Sequence, residues 1–138
     1  MDEPMDESEF GTQTKLRFEE LTEQIIGAAI EVHRAIGSGL LEAIYEECLC
    51  HELALRSLNF ERQLIVLVVY KGVRLESKHR LDVLVQNTVI LELKTVDRIL
   101  PIHEAQLMTY LRLLSKPVGL IINFNVPALR HGIVRRVL

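Results

Sequence analysis

His79-Arg-Leu-Asp-Val-Leu-Val-Gln-Asn-Thr-Val-Ile-Leu-Glu-Leu-Lys94 is the stretch on which the reading of this sequence turns. Two Val-, Leu- and Ile-rich runs flank the polar triplet Gln86-Asn87-Thr88, the pattern of two strands joined by a short turn. A hairpin centred on Asn87 sets Val85 against Val89, Val83 against Leu91 and Asp82 against Glu92. Alternation then puts Leu81, Val83, Val85, Val89, Leu91 and Leu93 on one face, expected to be the core. Arg80, Asp82, Leu84, Ile90, Glu92 and Lys94 fall on the other. Directly opposed Asp82 and Glu92 would have Cβ atoms about 5 Å apart, and like charges so placed destabilise a sheet. A salt bridge to Lys94 or Arg80, a raised pKa on one carboxyl, or a bound divalent cation would each relieve the repulsion. The cation weighs most. Mg²⁺ takes oxygen ligands at about 2.1 Å and is commonly held by one or two carboxylates together with waters and substrate phosphate oxygens. Lys94, on the same face, could assist an attacking water or stabilise developing negative charge.

Outward from the hairpin, helical spacing of Leu21, Ile25, Ile26, Ala29, Ile30 and Ile36 predicts a helix from Phe18, stopped at Gly37. A second apolar stripe from Leu40 to Leu53 predicts another helix, ending near Ser57. The β-branched run over 63–70 reads as one strand, with Lys71-Gly72 as its turn and a short strand over 73–76 returning on it. After the hairpin, Pro101 suits the first turn of a helix that continues to about Ser115. A buried strand over 118–124 and a last strand over 132–137 complete the domain. Residues 1–17 are acidic with few apolar side chains and read as a disordered tail, leaving 18–138 as a single domain.

The 138 residues are 49% hydrophobic and 25% charged, enough for one domain-sized core. No apolar run reaches the roughly 18 residues of a membrane helix, and the acidic start resembles neither a secretory signal nor a mitochondrial presequence. A cytoplasmic, non-membrane protein is expected. Cys48 and Cys50, two apart on a helix, point away from each other, and two thiols alone cannot hold a structural zinc or an iron–sulfur cluster. Net charge is −3, but residues 1–61 hold 4 of the 16 Lys and Arg and 14 of the 19 Asp and Glu, a balance of −10 against +7 for residues 62–138. A polyanion could find a face on the second half. The absence of Trp and an aromatic content of 5% argue against a single-strand stacking platform, so nucleic-acid contacts should rest on phosphates. Scattered histidines read as surface or hydrogen-bonded groups; His79, before Asp82, and His103, one turn before Gln106, are the two within reach of a phosphate.

Asp82 with Glu92-Leu93-Lys94 resembles the core motif of the PD-(D/E)XK nuclease superfamily, and Gln106-Leu-Met-Thr-Tyr110 resembles the QxxxY motif of its RecB-like branch. Gly39-Leu-Leu-Glu42-Ala-Ile-Tyr45 is similar to the signature of the GxxExxY protein family assigned to that superfamily. The resemblance implies an α/β, restriction-endonuclease-like core with a mixed, mainly antiparallel sheet flanked by helices. It implies a nuclease that hydrolyses phosphodiester bonds of nucleic acid, DNA before RNA, with Mg²⁺ or Mn²⁺. Asp82, Glu92 and the Leu93 carbonyl would hold the metal, with Glu42 as a further ligand and Glu31 in reserve. Lys94 would orient or activate the water, and Gln106 and Tyr110 would support that geometry. The competing expectation is a non-catalytic nucleic-acid-binding or protein-interaction module on the same scaffold; a homodimer or a partner protein is compatible with either.

Overall fold

In the computed structural model, backbone is described for residues 7–76 and 78–138, and side chains from Phe18 onward apart from Ser77. Helices α1 (Glu7–Ile36) and α2 (Glu42–Leu55) lead into β1 (Phe60–Ile65), β2 (Val68–Tyr70), β3 (Val73–Leu75), β4 (Arg80–Val85) and β5 (Val89–Lys94). Helix α3 (Pro101–Leu114) crosses to β6 (Val118–Asn123), and a 3₁₀ turn, Leu129–Gly132, precedes β7 (Ile133–Val137). The main sheet has the order β1-β4-β5-β6-β7, with β5 and β6 parallel and every other pair antiparallel. A parallel pair needs a crossover, and α3 supplies it. This is the expected mixed, mainly antiparallel sheet flanked by helices.

Helix α1 begins at Glu7, ahead of the expected start at Phe18, and no proline interrupts the chain between the two. Residues 1–6 of the expected tail lie outside the described residues. The predicted strand over 63–70 divides: β1 joins the main sheet, whereas β2 pairs with β3 in a separate two-stranded hairpin. Buried Val66 separates them, its N–H donating to the His79 carbonyl at 2.9 Å. Lys71 and Gly72, with φ of 48° and 78°, form the turn between β2 and β3, a left-handed pair of the kind that suits a two-residue hairpin.

The β4–β5 register is as expected, with Val83 opposite Leu91 and Val85 opposite Val89. The expectation of a single core face is corrected. Val83, Val85, Val89, Leu91 and Leu93 pack against α1 and α2, while Leu84 and Ile90 are buried with Leu107 and Leu111 of α3 on the opposite face. Leu81, expected with Val83, belongs instead to the α3-side cluster together with its partner Leu64. Between these residues Gln63 adopts φ 52°, and the ladder of β1 and β4 skips the Gln63–Asp82 position. A left-handed residue reorients the strand there, so simple alternation fails beyond it.

Helix α3 lies close on the sheet because residue 119 is glycine: a Cβ there would stand 2.6 Å from Leu107 Cδ1 and 3.2 Å from the Ile90 carbonyl oxygen. Among the described residues no helix is long and apolar enough to cross a membrane.

Candidate functional site

Strands β4 and β5 part beyond the Val83–Leu91 pair. Asp82, the next residue on β4, turns its carboxylate across the gap, and Oδ2 accepts the Leu93 N–H at 2.7 Å. A strand residue directs its N–H and C=O toward the same neighbour, so the Leu93 carbonyl also faces this gap. The expected pairing of Asp82 with Glu92 thus becomes a convergence of side chains at a splayed strand end.

Glu92 is 4% exposed, and its Oε1 has no hydrogen-bond partner. An unsatisfied buried carboxylate oxygen is costly. Burial first, and then the Asp82 carboxylate beside it, push the Glu92 carboxyl up to about 9, while the Lys94 ammonium pulls it back. Two acids and an amine therefore lie close enough to interact. This donor set fits a hard divalent cation: it offers carboxylate oxygens, one of them orphaned, and a carbonyl turned toward the same gap.

Helix α3 packs on the sheet face that carries Leu84 and Ile90. Gln106 and Tyr110 lie one helical turn apart, and Gln106 Nε2 donates to the Tyr110 hydroxyl at 2.9 Å. The Tyr110 phenol is raised above its ordinary value by burial and then by the charge of Glu92, with a smaller contribution from Asp82. The fold thereby brings Asp82, Glu92, Lys94, Gln106 and Tyr110 together.

Glu42 stands apart. It is exposed in the first turn of α2, which packs on the opposite face. Among the described residues no third His, Cys, Asp or Glu completes a metal-holding group with the pair. Glu31 is likewise exposed, on α1. The motif around Glu42 has a local structural reason: Gly39 has φ 87°, and the Tyr45 hydroxyl donates to the Gly37 carbonyl at 2.6 Å and accepts the Leu40 N–H at 3.3 Å. Tyr45 also stacks on Phe124, with ring centroids 4.3 Å apart. Gly39 and Tyr45 thus fix the entry into α2.

His103 accepts the Leu100 N–H on Nδ1 at 3.0 Å and so caps α3, and His33 is hydrogen-bonded to the Val126 carbonyl. Cys48 and Cys50 are free thiols, and burial pushes Cys50 up to about 11.

Two supporting groups escaped the sequence reading. Asn123, buried at the end of β6 beside Lys94, accepts the Val96 N–H on Oδ1 and donates Nδ2 to the Val96 carbonyl. It braces the chain just after the lysine. A lone amide inside the apolar run over 118–124 was the available signal. The second group is Glu46 of α2, which receives Arg62 at 2.8 Å and Gln63 at 2.6 Å. Adjacent strand residues ordinarily point to opposite faces; the left-handed Gln63 lets both reach one carboxylate, and spacing gives no hint of it.

The family model of the PD-(D/E)XK nuclease superfamily matches residues 19–137. The chain belongs to the PD-(D/E)XK nuclease superfamily. Its sheet order and its splayed β4–β5 end are consistent with that membership, and membership points to nuclease-like chemistry on a nucleic-acid substrate with a divalent metal. No curated protein and no solved structure gives a significant match to the chain.

Proposed function

We propose that this superfamily member is a Mg²⁺- or Mn²⁺-dependent nuclease that hydrolyses phosphodiester bonds in DNA. The observation that carries the reading is the buried Glu92 carboxyl, with an unpartnered Oε1, beside an Asp82 carboxylate anchored on the Leu93 N–H. Asp82, Glu92 and the Leu93 carbonyl would hold the cation; Glu42 would contribute only through bridging water. The metal would supply charge stabilisation at the phosphate and a more acidic bound water.

The protein's own groups account for the rest. Lys94, at the end of β5, has its backbone anchored because its carbonyl accepts the Phe124 N–H at 2.9 Å. Its ammonium, close enough to act on Glu92, is placed to hold the attacking water and to offset charge on the phosphate oxygens. Water adds to phosphorus as one ester P–O bond breaks, leaving a phosphomonoester and a hydroxyl. The Gln106–Tyr110 hydrogen bond, with Tyr110 within electrostatic reach of Glu92, supports placement in the RecB-like branch. The Gly39–Tyr45 lock likewise supports kinship with GxxExxY proteins, and a cytoplasmic setting fits this reading.

The test is a cleavage panel of single- and double-stranded DNA and RNA with Mg²⁺ or Mn²⁺, run beside Lys94→Ala and Asp82→Asn. Metal-dependent DNA cleavage that disappears in both variants is expected. Cleavage that persists in both would assign the activity to another site. Metal-independent nucleic-acid binding without cleavage by the wild type would favour the non-catalytic module.

A further inference from the structure

Between buried Val66 and β4 the chain leaves the main sheet as the β2–β3 hairpin, and every described residue from Val69 to Arg80 is exposed. Residues 71–80 carry Lys71, Arg74, Lys78 and Arg80 against the single acid Glu76. Among the described residues the ion pairs are Arg56–Glu52, Arg62–Glu46 and Arg136–Glu104, so no carboxylate neutralises these four cations. Such an uncompensated basic projection carries an electrostatic cost within the chain and attracts polyanions.

The hairpin is also continuous with the site. Its base forms one wall of a cleft of about 490 Å³, contributed by Val66, Val68 and His79; the opposite wall is α3, including Gln106, Tyr110 and Leu113. Tyr110, on that wall, is also close enough to Glu92 for their charges to interact. A strand of nucleic acid with a phosphate at Asp82 and Glu92 would therefore run past the hairpin.

We infer that the β2–β3 hairpin is a grip for double-helical DNA, in which Lys71, Arg74 and Lys78 hold backbone phosphates beside the cleft. The inference rests on the nuclease reading above and narrows its substrate to duplex. A two-stranded antiparallel ribbon is an element that the major groove of B-form DNA admits, whereas the deep, narrow major groove of an RNA helix does not. Of the Phe and Tyr rings among the described residues only Tyr70 is exposed, with the Lys71 ammonium 5.5 Å from its centroid. One ring is too few for a row of stacked single-stranded bases. Exposed Val69, Tyr70 and Val73 lie alongside the cations, so the hairpin can meet sugars and base edges as well as phosphates.

The experiment measures fluorescence anisotropy of a labelled DNA duplex, and of one of its strands alone, over a salt series in chelator so that cleavage is off. The wild type is compared with Lys71→Ala/Arg74→Ala/Lys78→Ala and with the corresponding triple Gln variant, which keeps most of the aliphatic stems. Circular dichroism confirms that the variants fold. The wild type should bind duplex more tightly than the single strand. Both triple variants should bind duplex about tenfold or more weakly, with the slope of log affinity against log salt reduced by about 2 to 3. Unchanged affinity and slope, or equal binding of the single strand, would overturn the proposal. So would a loss confined to self-association in sedimentation, which would make the hairpin a contact between copies. Asp82→Asn separates the two readings: if it abolishes cleavage while the hairpin variants bind like wild type, the grip fails and the nuclease stands. If it cleaves normally while the hairpin variants lose duplex, the nuclease site fails and the grip stands.

Discussion

Glu92 unites two properties that oppose each other in a metal-free protein: it is deeply buried, and it adjoins a second carboxylate. Unfolded, its carboxyl ionises near 4.5; folded, burial and then Asp82 keep it protonated up to about 9. Between those values the folded form binds the extra proton, so this group's stabilising contribution is complete below 4.5 and is lost as pH rises toward 9. Metal-free protein should therefore lose stability to denaturant between about pH 5 and about pH 8.5, and Glu92→Gln should flatten that decline. Parallel pH profiles for the two proteins would refute the assignment. A cation that binds the ionised carboxyl should displace the proton, so metal affinity should climb over the same range, measured by calorimetric titration. Lys94→Ala should reduce cleavage by roughly 10²- to 10³-fold and change metal affinity little, because on the proposed reading the ammonium would act on the reacting groups. An equal collapse of metal binding would make Lys94 structural instead. Asp82, Glu92 and Lys94 were legible from two-residue alternation and one turn. The orphaned Oε1 was not, because burial on the second sheet face depends on where α3 docks.

At the scale of elements, the hairpin of β4 and β5 was readable because a short polar turn fixes register, and register fixes which side chains oppose. The division of 63–70 was hidden. Its β-branched composition suits a strand on either side of Val66, and the division shows only in the pairing, with Ile65 opposite Arg80 in the main sheet and Val68 opposite Leu75 in the separate hairpin. Placement of Gln106 and Tyr110 over the carboxylates depends on the close seat of α3 on β6. Gly119→Ala should therefore cost about 1–3 kcal/mol in chemical denaturation, since the added methyl meets both Leu107 and the Ile90 carbonyl. Cleavage should fall with it as α3 shifts from the pocket. A variant as stable and as active as wild type would show that the helix adjusts without moving Tyr110.

For the whole molecule, a ligand that binds only the folded state must stabilise it. Mn²⁺ at about a hundred times its Kd should add roughly 2.7 kcal/mol to unfolding stability, and Asp82→Asn should abolish that gain. Thermal melts with and without the ion provide the check, and identical melting temperatures would remove the metal site. The charge division along the chain has a spatial counterpart in the β2–β3 hairpin and the segment after it, where Lys71, Arg74 and Lys78 are exposed. The sequence by itself determined the hairpin register, the helix that follows it and the nearness of Asp82, Glu92 and Lys94, because these depend on local periodicity and turn chemistry. Only the tertiary structure decided that both faces of the sheet are covered, that Glu42 is exposed on α2 while Glu92 is buried, and that Gln63 and Asn123 shape the strand ends. Those outcomes follow from helix docking and from hydrogen bonds between residues far apart in the chain, such as Asn123 with Val96, which no pattern of neighbouring residues encodes.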